Sequence, residues 1–120
     1  MTSISCILSL QPVRAMEASI LDQVRAAAAM RILFLPHAVR QMSRPSQMIS
    51  PAEIAVEITA GELVEDYPED VRGHSCLLLG PGDGDRPIHV VCAPKSEYLA
   101  IITAYIPHPD QWSDDFKKRK

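Results

Sequence analysis

The chain has no run of about twenty apolar residues, the length a helix needs to cross a bilayer. Its first fifteen residues, MTSISCILSLQPVRA, lack a basic leading region, and Ser and Gln interrupt their apolar stretch. Neither a membrane span nor a secretory signal is expected, and the expected address is the cytoplasm. Cysteine is sparse and odd in number: Cys6, Cys76 and Cys92, with no CxxC spacing. That pattern argues against a disulfide framework and a zinc knuckle, and it fits a reducing compartment. Excess positive charge is missing too. The formal net charge is −3, which gives no overall attraction to nucleic acid or anionic membrane. The glycine-rich GPGDGD at 80–85 has no phosphate-loop lysine and joins two strands rather than opening a helix, so it reads as a turn. His74, Cys76, His89 and Cys92 could approach across one hairpin, but His89 and Cys92 fall on opposite faces of their strand. No metal and no cofactor are therefore expected.

What is present is one domain's worth of chain. With 120 residues, 47% of them apolar, there is enough material for a single core. Residues 1–15 show no periodicity and read as an irregular N-terminal arm, leaving 16–120 as a single α+β domain. Charge is unevenly spread. Residues 53–70 hold seven acidic side chains and no Lys or Arg, so the remainder carries twelve basic against eight acidic residues. That balance permits a basic surface elsewhere, although a solvated acidic helix face would produce the same count.

The apolar spacing of Ile20, Leu21, Val24, Ala27 and Ala28 predicts a helix over Met16–Met30. A short apolar run at 31–35 then meets Pro36, a residue suited to a helix's first turn. From that turn His37 and Arg40 project three residues apart, on one face. The next helix is fully punctuated. Ser50 is its N-cap, Pro51 its first residue, Glu53 the partner in a capping box, and Gly61 a left-handed stop. Strands follow at Leu63–Tyr67, His74–Leu79, Pro87–Ala93 and Tyr98–Ile106, joined by connections too short for parallel crossovers. Asp110–Lys120 reads as a closing helix, with Trp112 and Phe116 on one face and Lys117, Lys118, Arg119 and Lys120 at its C-terminal end. The expected architecture is α+β, with helices packed on one face of a three- to four-stranded antiparallel meander sheet.

The strings PHAVRQM, the SPAEI helix ending in AGELVEDYP, then CLLLG, RPIHVV and IITAYIP with a later Trp, occur in this order over residues 31–116. In this ordered set the chain resembles the bacterial family called domain of unknown function 4258. The resemblance implies recurrent polar positions at His37, Arg40, Tyr67, His89, Thr103 and Tyr105. Arg44 is followed by Pro45, where the resemblance calls for a glycine, and it is left out of the candidate set. By analogy of fold, helices followed by a meander are similar to the small ribonuclease toxins of the RelE and barnase-like type.

Cleavage of RNA without metal needs a base for the 2′-hydroxyl, an acid for the leaving oxygen and a group that steadies the charged phosphorane. Histidine and arginine suit these tasks, since His titrates near neutral pH and Arg binds phosphate through two N–H groups. The candidate catalytic set is therefore His37 and His89 sharing acid and base work, Arg40 holding phosphate and Tyr105 orienting a proton or stacking on a base, with Tyr67 and Thr103 contacting substrate; the first four are expected to lie together in one concave place. Structural roles compete with each assignment. His37 could simply bond the backbone at its junction, His89 could be satisfied within the sheet, and Arg40 could pair with a carboxylate. The expected partners are an RNA substrate and an antitoxin-like protein. The competing class is a non-catalytic module whose sheet or edge strand pairs with another chain.

Overall fold

The computed structural model describes residues 19–120. Ser19 caps the first helix by accepting the Asp22 N–H at 3.1 Å. That helix, α1, spans Ile20–Met30 and buries Ile20, Val24 and Ala27, which fall at i, i+4 and i+7 on one face. The three residues expected to begin it, and the arm expected over 1–15, lie outside the described residues. β1 is Ile32–Phe34 and α2 is Pro36–Met42, with Pro36 in its first turn. α3 spans Pro51–Ala60 and carries the full capping box, Ser50 and Glu53 each accepting the other's N–H. Arg25 of α1 ties the two helices together by donating to the carbonyls of Ile58 and Gly61 at 3.0 and 3.3 Å.

β2 (Glu62–Tyr67), β3 (Ser75–Pro81), β4 (Pro87–Pro94) and β5 (Leu99–Tyr105) form the expected antiparallel meander, with a single-turn 3₁₀ helix at Asp83–Asp85 inside the β3–β4 connection. Three expectations need correction. The sheet has five strands and is mixed, in the order β1-β5-β4-β3-β2, because β1 pairs parallel to β5, Ile32 opposite Leu99. Two helices and three strands separate that pair in sequence, ample length for the crossover a parallel pairing requires. Secondly, Gly61 is extended (φ −73°, ψ 163°), not left-handed. Its lack of a side chain answers a close approach instead, since a Cβ there would collide with the Glu57 carbonyl oxygen.

The third correction concerns the C-terminal segment, which is not a helix. Residues 107–120 run in turns closed by an isolated bridge between Trp112 and Arg119. Local side chains take the backbone groups a helix would have used. The Asp115 carboxylate accepts from the Ser113 hydroxyl at 2.6 Å and the Lys117 N–H at 3.1 Å, and Ser113 Oγ accepts from the Lys118 N–H at 3.2 Å.

α1, α2 and α3 all contribute to one core against a single face of the sheet, where Cys76, Leu78, Ile88, Val90 and Ile101 are buried. Strand residues alternate between faces, so Leu77 and His89 point the other way, yet neither has any exposure. The second face is covered by the C-terminal segment. Among the described residues no helix is long and apolar enough to cross a membrane.

Candidate functional site

Directly opposed residues of an antiparallel ladder share a sheet face. His89 stands opposite Tyr105, and Val91 opposite Thr103. On the other side of β4, Leu79 stands opposite His89, and β3 in turn sets Ser75 opposite Tyr67 and Leu77 opposite Glu65. Tyr67, His89, Thr103 and Tyr105 therefore share the face that points away from the helices. Register, which the sequence leaves open, decides this.

His89 is enclosed. Its ring meets Tyr105 edge-on with centroids 5.3 Å apart, and Trp112 edge-on at 4.4 Å. Nε2 lies 2.9 Å from the carbonyl oxygen of Phe116, which can only accept, so Nε2 carries the hydrogen. In the neutral ring Nδ1 then accepts from the Tyr105 hydroxyl at 3.3 Å. Burial pushes the His89 pKa below its ordinary value, outweighing the pull of the Phe116 carbonyl and the Glu65 carboxylate in the other direction. The imidazole is held neutral.

Around it lies a second polar group that spans β2 and the C-terminal segment. Arg119 grips Glu65 with two nitrogens, Nε and Nη2, each 3.0 Å from a carboxylate oxygen. Its guanidinium carbon sits 4.7 Å from the centre of the Trp112 ring. The Tyr67 hydroxyl donates to Glu65. The Arg119 contact, with help from Tyr67, holds the Glu65 carboxyl below its usual range. Burial, reinforced by Glu65, pushes the Tyr67 phenol up to about 12. Beside this pair Lys117 Nζ meets Glu62 at 2.9 Å. Both ion pairs are open to water, where such contacts are weak. A groove of about 520 Å³ opens next to them, floored by Leu79, Pro81 and Phe116.

His37 and Arg40 lie elsewhere. α2 buries Ala38 and Met42 in the helical core and leaves His37 and Arg40 exposed, with Arg44 just beyond its end also exposed. The structure thus brings Tyr67, His89, Thr103 and Tyr105 to one sheet face and keeps His37 and Arg40 on the helical layer, so the four residues expected to lie together, His37, Arg40, His89 and Tyr105, do not meet at one place. A spacing of three residues places His37 and Arg40 along one side of the helix. Among the described residues Arg25, Arg72, Arg86, Lys95, Lys117 and Arg119 are engaged by carbonyls or carboxylates.

Glu65, Trp112 and Arg119 are site residues that sequence reasoning does not single out. One signal for a covered second face is available. CLLLG is apolar without alternation, as a strand buried on both sides should be. Cys76 and Cys92 oppose each other across β3 and β4 on the helical side, whereas His89 faces away. Among the described residues no group of three or more His, Cys, Asp and Glu is placed to hold a metal ion.

A family model described as "Domain of unknown function (DUF4258)" matches residues 34–106. No curated protein and no solved structure matches the chain.

Proposed function

The chain belongs to the DUF4258 family, and from the sheet face just described we propose that it is a metal-independent endoribonuclease of RelE-like type. One observation carries the reading: Tyr67, His89 and Tyr105, from three different strands, share one sheet face with the Glu65 carboxylate. Their protonation states suit the chemistry. Neutral His89 is in the form that accepts the 2′-hydroxyl proton as the 2′-oxygen attacks phosphorus. Tyr67 and Tyr105, whose phenols are both pushed toward the protonated form, are in the form that donates to the phosphate and to the leaving 5′-oxygen when the P–O5′ bond breaks. Thr103, half-buried on the same face, contacts the substrate. His37 and Arg40, with Arg44, hold the RNA backbone from the helical layer, where phosphate contacts supply affinity rather than catalysis.

The test is cleavage of a structured RNA in chelator by the wild type, His89→Ala, Tyr105→Phe and His37→Ala proteins. Loss in His89→Ala, a slower turnover in Tyr105→Phe and a raised KM with little change in kcat in His37→Ala are expected. A folded wild type that cuts nothing, together with inactive Trp112→Ala and Lys117→Glu/Arg119→Glu proteins, would retire the reading in favour of a protein-binding module.

A further inference from the structure

No substrate can touch His89 in the arrangement described. Its ring has no exposure, Trp112 lies against it, and the Phe116 carbonyl takes its one N–H. The residues responsible form a separate piece of chain. The family match ends at residue 106, so the face lies within the matched residues and the cover after them. Residues 108–111 form an exposed turn between the buried Pro107 and the buried Trp112, held only by its own bonds and the Lys120 N–H and not by the sheet. Beyond Trp112 the loop is closed on itself, with the Ser113 N–H donating to the Lys118 carbonyl and the Lys120 N–H to that of Gln111. It reaches across β3 to β2, where Lys117 meets Glu62 and Arg119 meets Glu65. One buried aromatic ring, one hydrogen bond to an imidazole and two water-exposed ion pairs are its main ties to the sheet.

We propose that residues 108–120 are an autoinhibitory strap over the His89 face, released when RNA phosphates draw Lys117 and Arg119 away from Glu62 and Glu65. This rests on the ribonuclease reading. The strap carries four consecutive cations, Lys117 to Lys120, and a polyanion competes directly for the two that latch it. Glu62 and Glu65 are the acidic side that keeps the strap shut without substrate. The substrate thereby opens its own site, and an empty protein keeps the imidazole sealed.

The full chain is treated with diethyl pyrocarbonate with and without a 2′-O-methyl RNA oligonucleotide, which binds but cannot be cleaved, and modification of each histidine is followed by peptide mass. Exposed His37, read in the free protein, is the internal control for the reagent. His89 is expected to be at least tenfold less reactive than His37 in the free protein. The Trp112 indole resonance, followed by NMR on the same samples, is expected to shift when the oligonucleotide is added, because the indole leaves the His89 ring while RNA seated on the opened face shields the imidazole itself. Trp112→Ala and the surface variant Lys117→Glu/Arg119→Glu are expected to react at His89 without RNA. Pairing Lys117→Glu with Glu62→Lys is expected to restore protection relative to Lys117→Glu alone. His89 that reacts freely in the free wild type, or stays sealed in all variants, or a Trp112 indole resonance that RNA leaves in place, would overturn the strap. A strap that opens in these assays over a face that cleaves nothing would sustain the strap and overturn the nuclease.

Discussion

Glu57 of α3 rests its carboxylate on the bare backbone of Gly80 in β3: a Cβ at position 80 would lie 3.1 Å from Oε2 and would collide outright with Oε1. Both oxygens are buried with no hydrogen-bond partner, and the residue is 1% exposed. Burial, together with the neighbouring Glu53 charge, raises its pKa to about 7. An acid whose folded pKa lies above its unfolded one binds more protons when folded, so its contribution favours the fold below about pH 4.5 to 5 and is lost as pH rises through 7. The shift corresponds to about 3 kcal/mol. Glu57→Gln is therefore expected to raise the urea midpoint at pH 8, to change little at pH 5, and to flatten the slope between. Equal effects at both pH values would show that the carboxylate is not buried uncharged.

Gly80→Ala is expected to destabilise by about 2 kcal/mol, the usual cost of overpacking. The clash is with one side chain only, so in the Glu57→Ala background the same substitution should cost much less. A double-mutant cycle measured by urea unfolding reads this coupling, and additivity would mean that something other than Glu57 resists a side chain at position 80.

Glu53 presents the opposite case one turn earlier. Burial works against its charge, but the N–H groups of Ser50 and Asp83 and the guanidinium of Arg86 outweigh this and bring its pKa down to about 2. Arg86 also donates to the carbonyls of Gln47 and Met48, so it fastens the β3–β4 hairpin to the start of α3. Arg86→Ala leaves a buried carboxylate short of its partner and is expected to cost about 3 kcal/mol, read by thermal or urea unfolding. The stability from Glu53 is present above pH 4.5 and disappears as pH falls toward 2. A Glu53→Gln protein should lose less than the wild type over that interval.

His89 ties pH to the strap. Its folded pKa is lowered, so its contribution is present above the unfolded value of 6.5 and is lost as pH falls below it. Protonation also puts a hydrogen on Nδ1 facing the Tyr105 oxygen, with Arg119 nearby and Glu65 as the countercharge. Acidification is expected to broaden or shift the Trp112 indole resonance before the helical core responds, and His89→Phe should abolish that early step. Simultaneous loss of indole and core signals would place His89 in the global unfolding unit.

Sequence signals are dependable in this chain where the physics behind them is local. Ser50, Pro51 and Glu53 specify the start of α3 because a capping box is completed within four residues. The β3–β4–β5 meander follows from connections too short for anything but antiparallel return. The C-terminal segment misleads for a related reason: Trp112 and Phe116 have helical spacing, but Ser113 and Asp115 satisfy the backbone locally and the sheet takes the indole. Residue types at His89 and Tyr105 mark a polar pair, but only the register of β4 on β5 puts them opposite each other.

The α+β class, the family, the N-terminal punctuation of α3 and the order of the meander are all legible in the amino-acid order, because each depends on near neighbours or on an ordered set of motifs. Three-dimensional packing was needed to establish that β1 runs parallel beside β5, that His37 and Arg40 stand on a different layer from His89, and that Trp112, Phe116 and Arg119 seal the second face of the sheet. Those contacts join residues far apart in the chain. Their geometry depends on register, burial and charge pairing across strands, and none of these is written into the spacing of any single segment.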